Sequence, residues 1–155
     1  SLDILWDKIA YDNLNIPESW NWKPDLYDEM IKDLLWLEWM QDDDWWIFGM
    51  SKPKWISYQN WKTWEDPNLK GYLTPKDTPH TASFVAVMAR ASRSKIIKKY
   101  NPELQEEFKQ RAEKAWNWLE STTQTWSSSA FWHHYWAKEW DIDDRVWASI
   151  ELYAL

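Results

Sequence analysis

Glycine is almost absent from this chain, and its shortage makes tight turns the hardest part of any fold to build. Of the 155 residues, two are glycine, Gly49 and Gly71, while 17 are tryptophan. A chain of this length ordinarily carries about 11 glycines, because glycine makes up about 7% of residues. Glycine is the residue that adopts a positive φ at no steric cost. Turns that require a positive φ must therefore be made here by side chains that are poorly suited to them.

Charge and composition exclude several classes of function. The 25 acidic and 18 basic residues give a formal charge of −7, which argues against nucleic acid as a partner because phosphate binding relies on clustered Lys and Arg. No run approaches the roughly 18 apolar residues of a membrane span, so we expect no membrane partner. The absence of cysteine removes disulfides, thiolate metal sites and Cys nucleophiles, but leaves the compartment open.

The two ends of the chain suggest a partial domain. Ser1 is neither an initiator Met nor the start of a signal peptide. The last predicted helix reaches Leu155 without a glycine cap, a basic last turn or a proline. We therefore interpret residues 1–155 as one helical domain that is incomplete at both ends.

Apolar residues recur at helical spacing in several segments, and no segment alternates as a strand does. The predicted helices are, approximately, residues 2–12, 24–41, 78–100, 102–120 and 143–155. Thr78-Pro79 and Asn101-Pro102 are typical helix starts, a capping residue followed by proline. Because the link at residue 101 is so short, the two helices that it joins should be antiparallel neighbours. The predicted class is all-α with long loops.

The last helix and the long loops lead to further expectations. In the last helix, Val146, Ile150 and Tyr153 or Ala154 are predicted to face inward. The irregular stretch from Asp42 to Thr78 is nearly forty residues long, and loops of this length are often functional. It could line a ligand cleft or simply cross the surface, and the sequence leaves both open.

Most of the tryptophans lie outside the helical stripes. Those in predicted loops are Trp20, Trp22, Trp45, Trp46, Trp55, Trp61, Trp64, Trp126, Trp132, Trp136 and Trp140. They could be platforms that stack on sugars, a membrane-interface belt, or residues that stand where glycine belongs. Asn21-Trp22 and Asp44-Trp45-Trp46 favour the third interpretation, since turns at such places ordinarily use glycine.

Six segments in chain order resemble the glycoside hydrolases of family nine. Residues 16–29 read IPESWNWKPDLYDE where that family reads IPESGNGIPDLLDE, and residues 115–120 are similar to its AWDWLE. The segments that carry the resemblance are residues 16–29, 33–41, 43–46, 81–93, 115–120 and 141–153. The chain departs from the family where tryptophan stands in place of glycine, at Trp20, Trp22, Trp45 and Trp46, and also at Trp132, Trp136 and Trp140 by the same pattern.

A single cause would explain these departures. Some bacteria read the codon UGA as glycine, and a translation that reads UGA as tryptophan would convert only those glycines. Gly49 and Gly71 would survive because ordinary codons encode them. The hypothesis predicts UGA rather than UGG at Trp20, Trp22, Trp45 and Trp46.

The resemblance implies part of an (α/α)6 toroid of six helical hairpins that hydrolyses β-1,4-glucans such as cellulose with inversion. In that reaction an acid protonates the leaving oxygen and a carboxylate roughly 6.5–9.5 Å away activates water. The family's catalytic aspartates lie in a DAGD-type motif upstream of the IPES-like segment, and its catalytic glutamate lies far downstream. Neither motif occurs here, so we expect no catalytic residue; the run Asp42-Asp43-Asp44 reads better as a helix end and turn.

The loop between residues 45 and 76 is where the family builds part of its substrate cleft. Aromatic residues there that could stack on glucose rings include Trp55, Tyr58 and Tyr72, and the two tyrosines are the better candidates if the loop tryptophans replace glycine. His133, in the His133-His134 pair, is a further candidate for substrate binding, although a polar loop beside a cleft explains the pair equally simply. His80, just after Pro79, should be exposed or take part in capping.

Three carboxylates open the last helix and offer a possible metal site. Asp141, Asp143 and Asp144 could supply oxygen ligands to a structural Ca²⁺. The alternative is N-capping together with favourable placement at the positive end of the helix dipole. The resemblance implies no required cofactor.

The sequence therefore predicts the central segment of a cellulase-like glycoside hydrolase, inactive alone because its catalytic carboxylates lie outside it. The implied partners are a β-glucan and the remainder of the parent barrel, and the implied location is extracellular or periplasmic. The alternative is a helical module without catalytic activity, one that binds carbohydrate through exposed aromatics or has a purely structural role.

Overall fold

The structure, a computed structural model, describes residues 15–48, 51–53, 71–73, 76–122 and 141–155. Five helices lie in these ranges: α1 (Asp25–Trp39), α2 (Thr78–Ser92), α3 (Lys95–Tyr100), α4 (Pro102–Ser121) and α5 (Ile142–Tyr153). Two short strands, β1 (Ser51–Pro53) and β2 (Gly71–Leu73), form an antiparallel ribbon. The helix predicted at residues 2–12 lies outside the described residues.

Helix starts follow local chemistry. Pro24 precedes α1, where Asp25 and Asp28 occupy the positive end of the helix dipole. Pro102 is the first residue of α4. At α2 the capping residue is Asp77 rather than the predicted Thr78, because the Asp77 side chain accepts a hydrogen bond from the His80 backbone N–H at 2.9 Å.

The helix predicted from residue 78 to residue 100 is divided in the structure. α2 ends at Ser92, Ser94 has an extended backbone, and α3 begins at Lys95. The Ser92 hydroxyl donates to the Ala89 carbonyl oxygen at 2.9 Å, and the Arg93 Nε donates to the same oxygen at 3.3 Å. Side chains that occupy a backbone acceptor in this way compete with the helical ladder, and helical spacing alone does not reveal the interruption.

The core forms around α2, which is buried along most of its length and packs against both α4 and α5. Its small side chains let the other helices approach closely. The buried apolar residues of α2 and its two partners are Ala82, Phe84, Val85, Ala86, Met88, Ala89, Ala91, Phe108, Ala112, Ala115, Leu119 and Ala148. Burying such side chains is the main favourable contribution to folding.

Polar contacts fix the directions of the three central helices. Ser83 contacts Asp144 near the starts of α2 and α5, and Arg93 pairs with Glu151 near their ends, so the two helices run side by side in parallel. The Arg145 guanidinium, near the start of α5, donates to the Leu119 carbonyl near the end of α4 at 2.8 Å. α4 therefore runs antiparallel to α2, although the one-residue link at Asn101 joins α4 to α3 and not to α2.

The inward face predicted for the last helix is wrong. Val146, Ile150 and Tyr153 are 51%, 61% and 96% exposed, and Ala154 is exposed as well. The residue of α5 that is buried against the core is Ala148. The alanine-rich surface of α2 accepts a small side chain at close approach, and the bulky stripe of α5 is left pointing away from it.

The ribbon between α1 and α2 was not predicted from the sequence. Ser51 pairs with Leu73 and Pro53 with Gly71, and an isolated bridge joins Phe48 to Lys76. Strands of three residues are too short to give a readable alternation. Among the described residues, no helix has both the length and the apolar character needed to cross a membrane.

Candidate functional site

Four segments of loop and helix end meet at one place, which we call the loop end. It consists of residues 41–48, 76–83, 118–122 and 141–145. The Ile47 N–H donates to the Thr81 hydroxyl at 3.3 Å, which joins the chain after α1 to the start of α2. The ring centroids of Trp46 and Trp118 lie 3.7 Å apart, and this contact joins the segment after α1 to the end of α4. The loop end therefore gathers segments that are distant in the sequence.

A tight hairpin at residues 41–47 holds the three consecutive aspartates. The Trp45 N–H donates to the Asp42 carbonyl at 2.9 Å, and the Asp42 N–H donates to the Trp46 carbonyl at 2.9 Å. Gln41 and Ile47 form the bridge that closes the hairpin. The run of aspartates is thus a turn after a helix, as the sequence predicts.

Lys76 ties this hairpin to the segment that precedes α2. Its ammonium group pairs with Asp42 and, at 2.7 Å, with Asp44. Burial alone would lower the pKa of Lys76, but its hydrogen bonds to Asp42 and Asp44 raise it. The hydrogen bond from Lys76 holds the pKa of Asp42 below its usual range. A carboxylate that stays ionised in this way is unsuited to act as a general acid.

Asp77 and His80 form a second polar pair, at the start of α2. The buried Asp77 carboxylate lies 2.7 Å and 2.8 Å from His80 Nδ1 through its two oxygens. This hydrogen bond is the main cause that raises the pKa of His80 above its ordinary value, and burial opposes it. With Nδ1 held by Asp77, the other ring nitrogen, Nε2, is the atom through which His80 can meet a ligand.

The carboxylates that open α5 are engaged with neighbouring side chains. The buried Asp141 accepts a hydrogen bond from Arg145 Nε at 2.8 Å, and Asp144 accepts one from the Ser83 hydroxyl at 3.0 Å. Burial raises the pKa of Asp144. Within the described ranges, no three His, Cys, Asp or Glu side chains are arranged to hold a metal ion. The Asp141 side chain makes no capping hydrogen bond to the backbone of α5. The calcium site at Asp141, Asp143 and Asp144 stays a prediction.

A cavity of about 180 Å³ lies beside His80, between α1 and α2. Its lining is mainly apolar and includes the rings of Trp36, Phe48 and Phe84, with Ser83 and His80 as its polar members. Aromatic faces combined with a few placed polar groups are typical of small-molecule sites. The arrangement can therefore accept the apolar face of a sugar ring while an imidazole and a hydroxyl form hydrogen bonds with its hydroxyl groups.

Most of the predicted substrate contacts cannot be placed. Trp55, Tyr58 and His133 lie outside the described residues. Tyr72 lies in β2, where its backbone pairs with that of Lys52. The sequence did not indicate the Asp77–His80 pair as a site; an Asp three residues before a His at a helix start is the signal that could have found it, since this spacing brings both side chains to one helix end.

Three of the tryptophans in predicted loops have left-handed backbone. The φ angles of Trp20, Trp22 and Trp45 are 88°, 66° and 73°. A side chain with a Cβ in such a conformation costs about 1–3 kcal/mol. Trp46, which the sequence also placed at a glycine position, is not among the described residues with positive φ, and its ring packs on Trp118 instead.

Comparison with known proteins assigns the class. The profile of glycosyl hydrolase family 9 matches residues 10–155. Endoglucanase D of Acetivibrio thermocellus is 28% identical over 162 aligned positions, which cover 99% of this chain and 25% of that protein. The chain therefore belongs to glycosyl hydrolase family 9.

Solved structures agree with this assignment. A family 9 glycoside hydrolase of Bacteroides ovatus superposes with a TM-score of 0.77 at 27% identity, covering 99% of this chain and 30% of that one. A metagenome-derived family 9 endoglucanase gives a TM-score of 0.73 at 25% identity, covering 98% and 28%. The fold is thus all-α and corresponds to part of an (α/α)6 toroid, and the chain spans between a quarter and a third of its relatives' length.

Proposed function

We propose that this chain is a segment of an inverting endo-β-1,4-glucanase and that it is inactive by itself. The match to family 9 over residues 10–155 is the observation that carries the proposal. The chain covers about a quarter of Endoglucanase D, so most of that protein has no counterpart here. This supports the proposal that the chain is inactive by itself. The engaged carboxylates of the loop end give the same expectation, since Asp42 and Asp44 pair with Lys76.

A reducing-sugar assay on carboxymethylcellulose tests the proposal in two arms. The chain alone should release no reducing ends. The same chain within its complete reading frame should release them, and that frame should carry a DAGD-type motif upstream and a glutamate-bearing motif downstream. Hydrolysis by the chain alone would contradict the claim of inactivity, and a complete protein without either motif would contradict the assignment to an inverting glucanase.

We propose that one group of glucan contacts lies at the loop end. The cavity beside His80 combines aromatic rings with the imidazole and the Ser83 hydroxyl, a composition that suits a sugar. Tyr72, in β2, is a further glucan contact proposed from the resemblance. Affinity electrophoresis in β-glucan should show weaker retardation for His80→Gln and Tyr72→Ala. Tyr153→Ala is the matched control, because Tyr153 is exposed at the far end of α5.

The remaining substrate contacts and the metal site are proposals of the same kind. Trp55, Tyr58 and His133 are proposed glucan contacts on the strength of the resemblance, and their alanine variants belong in the same electrophoresis. For calcium at Asp141, Asp143 and Asp144, calorimetry with Ca²⁺ compares the chain with Asp144→Ala. Absence of heat from the unsubstituted chain would remove the site.

The exposed face of α5 is proposed to pack against the remainder of the parent barrel. Val146, Ile150 and Tyr153 project from it, and a groove of about 370 Å³ between α4 and α5 is lined partly by Trp116 and Leu152. A contiguous apolar surface of this kind marks an interaction site. As with secreted polysaccharide-degrading enzymes, the proposed location is extracellular or periplasmic.

A further inference from the structure

Positive φ separates the tryptophans of this chain into two groups. Among the described residues, the non-glycine residues with positive φ are Asn15, Trp20, Trp22 and Trp45. Asparagine visits this region routinely because its short polar side chain can bond locally. Tryptophan does not, because its Cβ approaches the neighbouring carbonyl oxygen and its large side chain makes no local hydrogen bond that would offset this cost. Three of these four positions are thus occupied by a residue that disfavours them.

The turn at residues 19–23 is held by polar side chains and not by its tryptophans. The Ser19 hydroxyl donates to Asp25 at 2.7 Å, and Asn21 donates to Asp28 at 2.9 Å while its own oxygen accepts from the Lys23 N–H at 2.8 Å. The two tryptophans between these residues, Trp20 and Trp22, are 86% and 97% exposed. The surrounding bonds impose the left-handed backbone, and the rings gain almost no burial in return.

The hairpin at residues 41–47 gives the same result by a different geometry. The Trp45 N–H donates to the Asp42 carbonyl and closes a turn, and Trp45 itself has a φ of 73°. The Asp42 N–H then donates to the Trp46 carbonyl. This is the three-residue hairpin loop, in which the residue after the turn takes left-handed backbone at a bulge. Glycine is the usual residue at that place.

The helical tryptophans behave differently. Trp36, Trp116 and Trp118 lie within α1 and α4, in right-handed backbone that accepts any large side chain. Trp147 lies within α5. Tryptophan is therefore conformationally ordinary in the helices and conformationally costly in the turns. The backbone φ, and not burial alone, separates the two groups.

We infer that positions 20, 22 and 45 are glycine in the protein that its own cell makes, and that their codons are UGA read as glycine. The helical tryptophans are genuine and are encoded by UGG. The presence of only two glycines in 155 residues fits this inference, since Gly49 and Gly71 would be the glycines that ordinary codons encode. Trp20 and Trp22 are then not a sugar-stacking platform, despite their exposure. The inference is independent of the proposed glucanase activity.

The coding DNA and the natural protein give the direct test. We expect UGA at positions 20, 22 and 45 and UGG at positions 36, 116, 118 and 147. Mass spectrometry of the protein from its source should find glycine at the first three positions and tryptophan at the other four. UGG codons, or tryptophan in the natural protein, at positions 20, 22 and 45 would overturn the inference.

A stability series tests the stereochemical reason. Trp20→Gly, Trp22→Gly and Trp45→Gly should each raise Tm by about 3 °C, whereas the matched alanine variants should gain less, because alanine retains the Cβ that disfavours positive φ. Trp116→Gly and Trp118→Gly are the controls and should lower Tm, since glycine weakens a helix interior. A lower Tm for the turn glycine variants, or a loss of glucan retardation for Trp20→Gly or Trp22→Gly, would contradict the inference.

Discussion

Tryptophan occurs both in the helices and in the turns of this chain, and its consequences for the backbone are opposite in the two places. In α2 and α4, local propensity, helical spacing and burial agree, and residues such as Phe108 and Leu119 are fully enclosed. In the turns at residues 19–23 and 41–47, polar side chains hold the backbone in conformations that Trp20, Trp22 and Trp45 disfavour. In a foldable sequence the local backbone preference of each residue ordinarily agrees with the fold, so these three tryptophans stand out as residues that disagree with it.

The largest effect should come from the central helices. Phe108→Ala removes a fully buried ring from α4 and should lower the free energy of unfolding by about 3–5 kcal/mol, measured by urea denaturation. The control is Tyr153→Ala, since Tyr153 is 96% exposed and its loss should change stability by less than about 0.5 kcal/mol. Similar values for the two variants would break the contrast between core and surface.

The next effect concerns the junction of α1 and α4. Arg111 pairs with Glu38 and donates to the Gln41 side chain at 3.0 Å, and Glu38 Oε2 and Arg111 Nε are buried without a partner in the described part of the chain. Arg111→Ala would leave the Glu38 carboxylate poorly compensated, so we expect a loss of about 2 kcal/mol. Lys109→Ala, which removes an exposed cation from the same helix, is the control. An equal, small loss for both would show that the junction contributes little.

A smaller effect is expected at the loop end. Asp77→Ala removes the side chain that caps α2 and should cost about 1 kcal/mol in a thermal or urea unfolding experiment. Asp77→Asn should recover part of the loss, because an amide oxygen can still accept the hydrogen bond from the His80 N–H. If the two variants are equally destabilised, the Asp77 charge, and not its capping bond, is what matters.

The smallest effect depends on pH. The hydrogen bond from His80 to Asp77 raises the pKa of His80 in the folded chain, so its contribution is fully present below the ordinary value of 6.5 and is lost as pH rises through the folded value. His80→Gln should therefore cost up to about 1 kcal/mol near pH 5.5 and almost nothing near pH 8.5, since the pair is partly exposed. A loss that grows with pH would reverse the sign and refute this account of the pair.

The sequence predicted the helical elements well and their partners less well. α4 and its start at Asn101-Pro102 followed from a capping residue, a proline and regular spacing. The break at Ser94 did not, because it depends on side chains that bond back to the Ala89 carbonyl. The candidate site was predicted least, since the Asp77–His80 pair gains its meaning only beside the cavity between α1 and α2.

The sequence by itself determined the class and the proline-led start of α4, because these depend on residue type and on neighbours a few positions away. Only the tertiary structure decided which face of α5 is buried. Ala148 packs on the alanine-rich α2, and Val146 and Ile150 point outward, although spacing alone marked them as the inward stripe. A period in the sequence identifies an apolar stripe, but the close approach of two backbones decides which stripe meets the core.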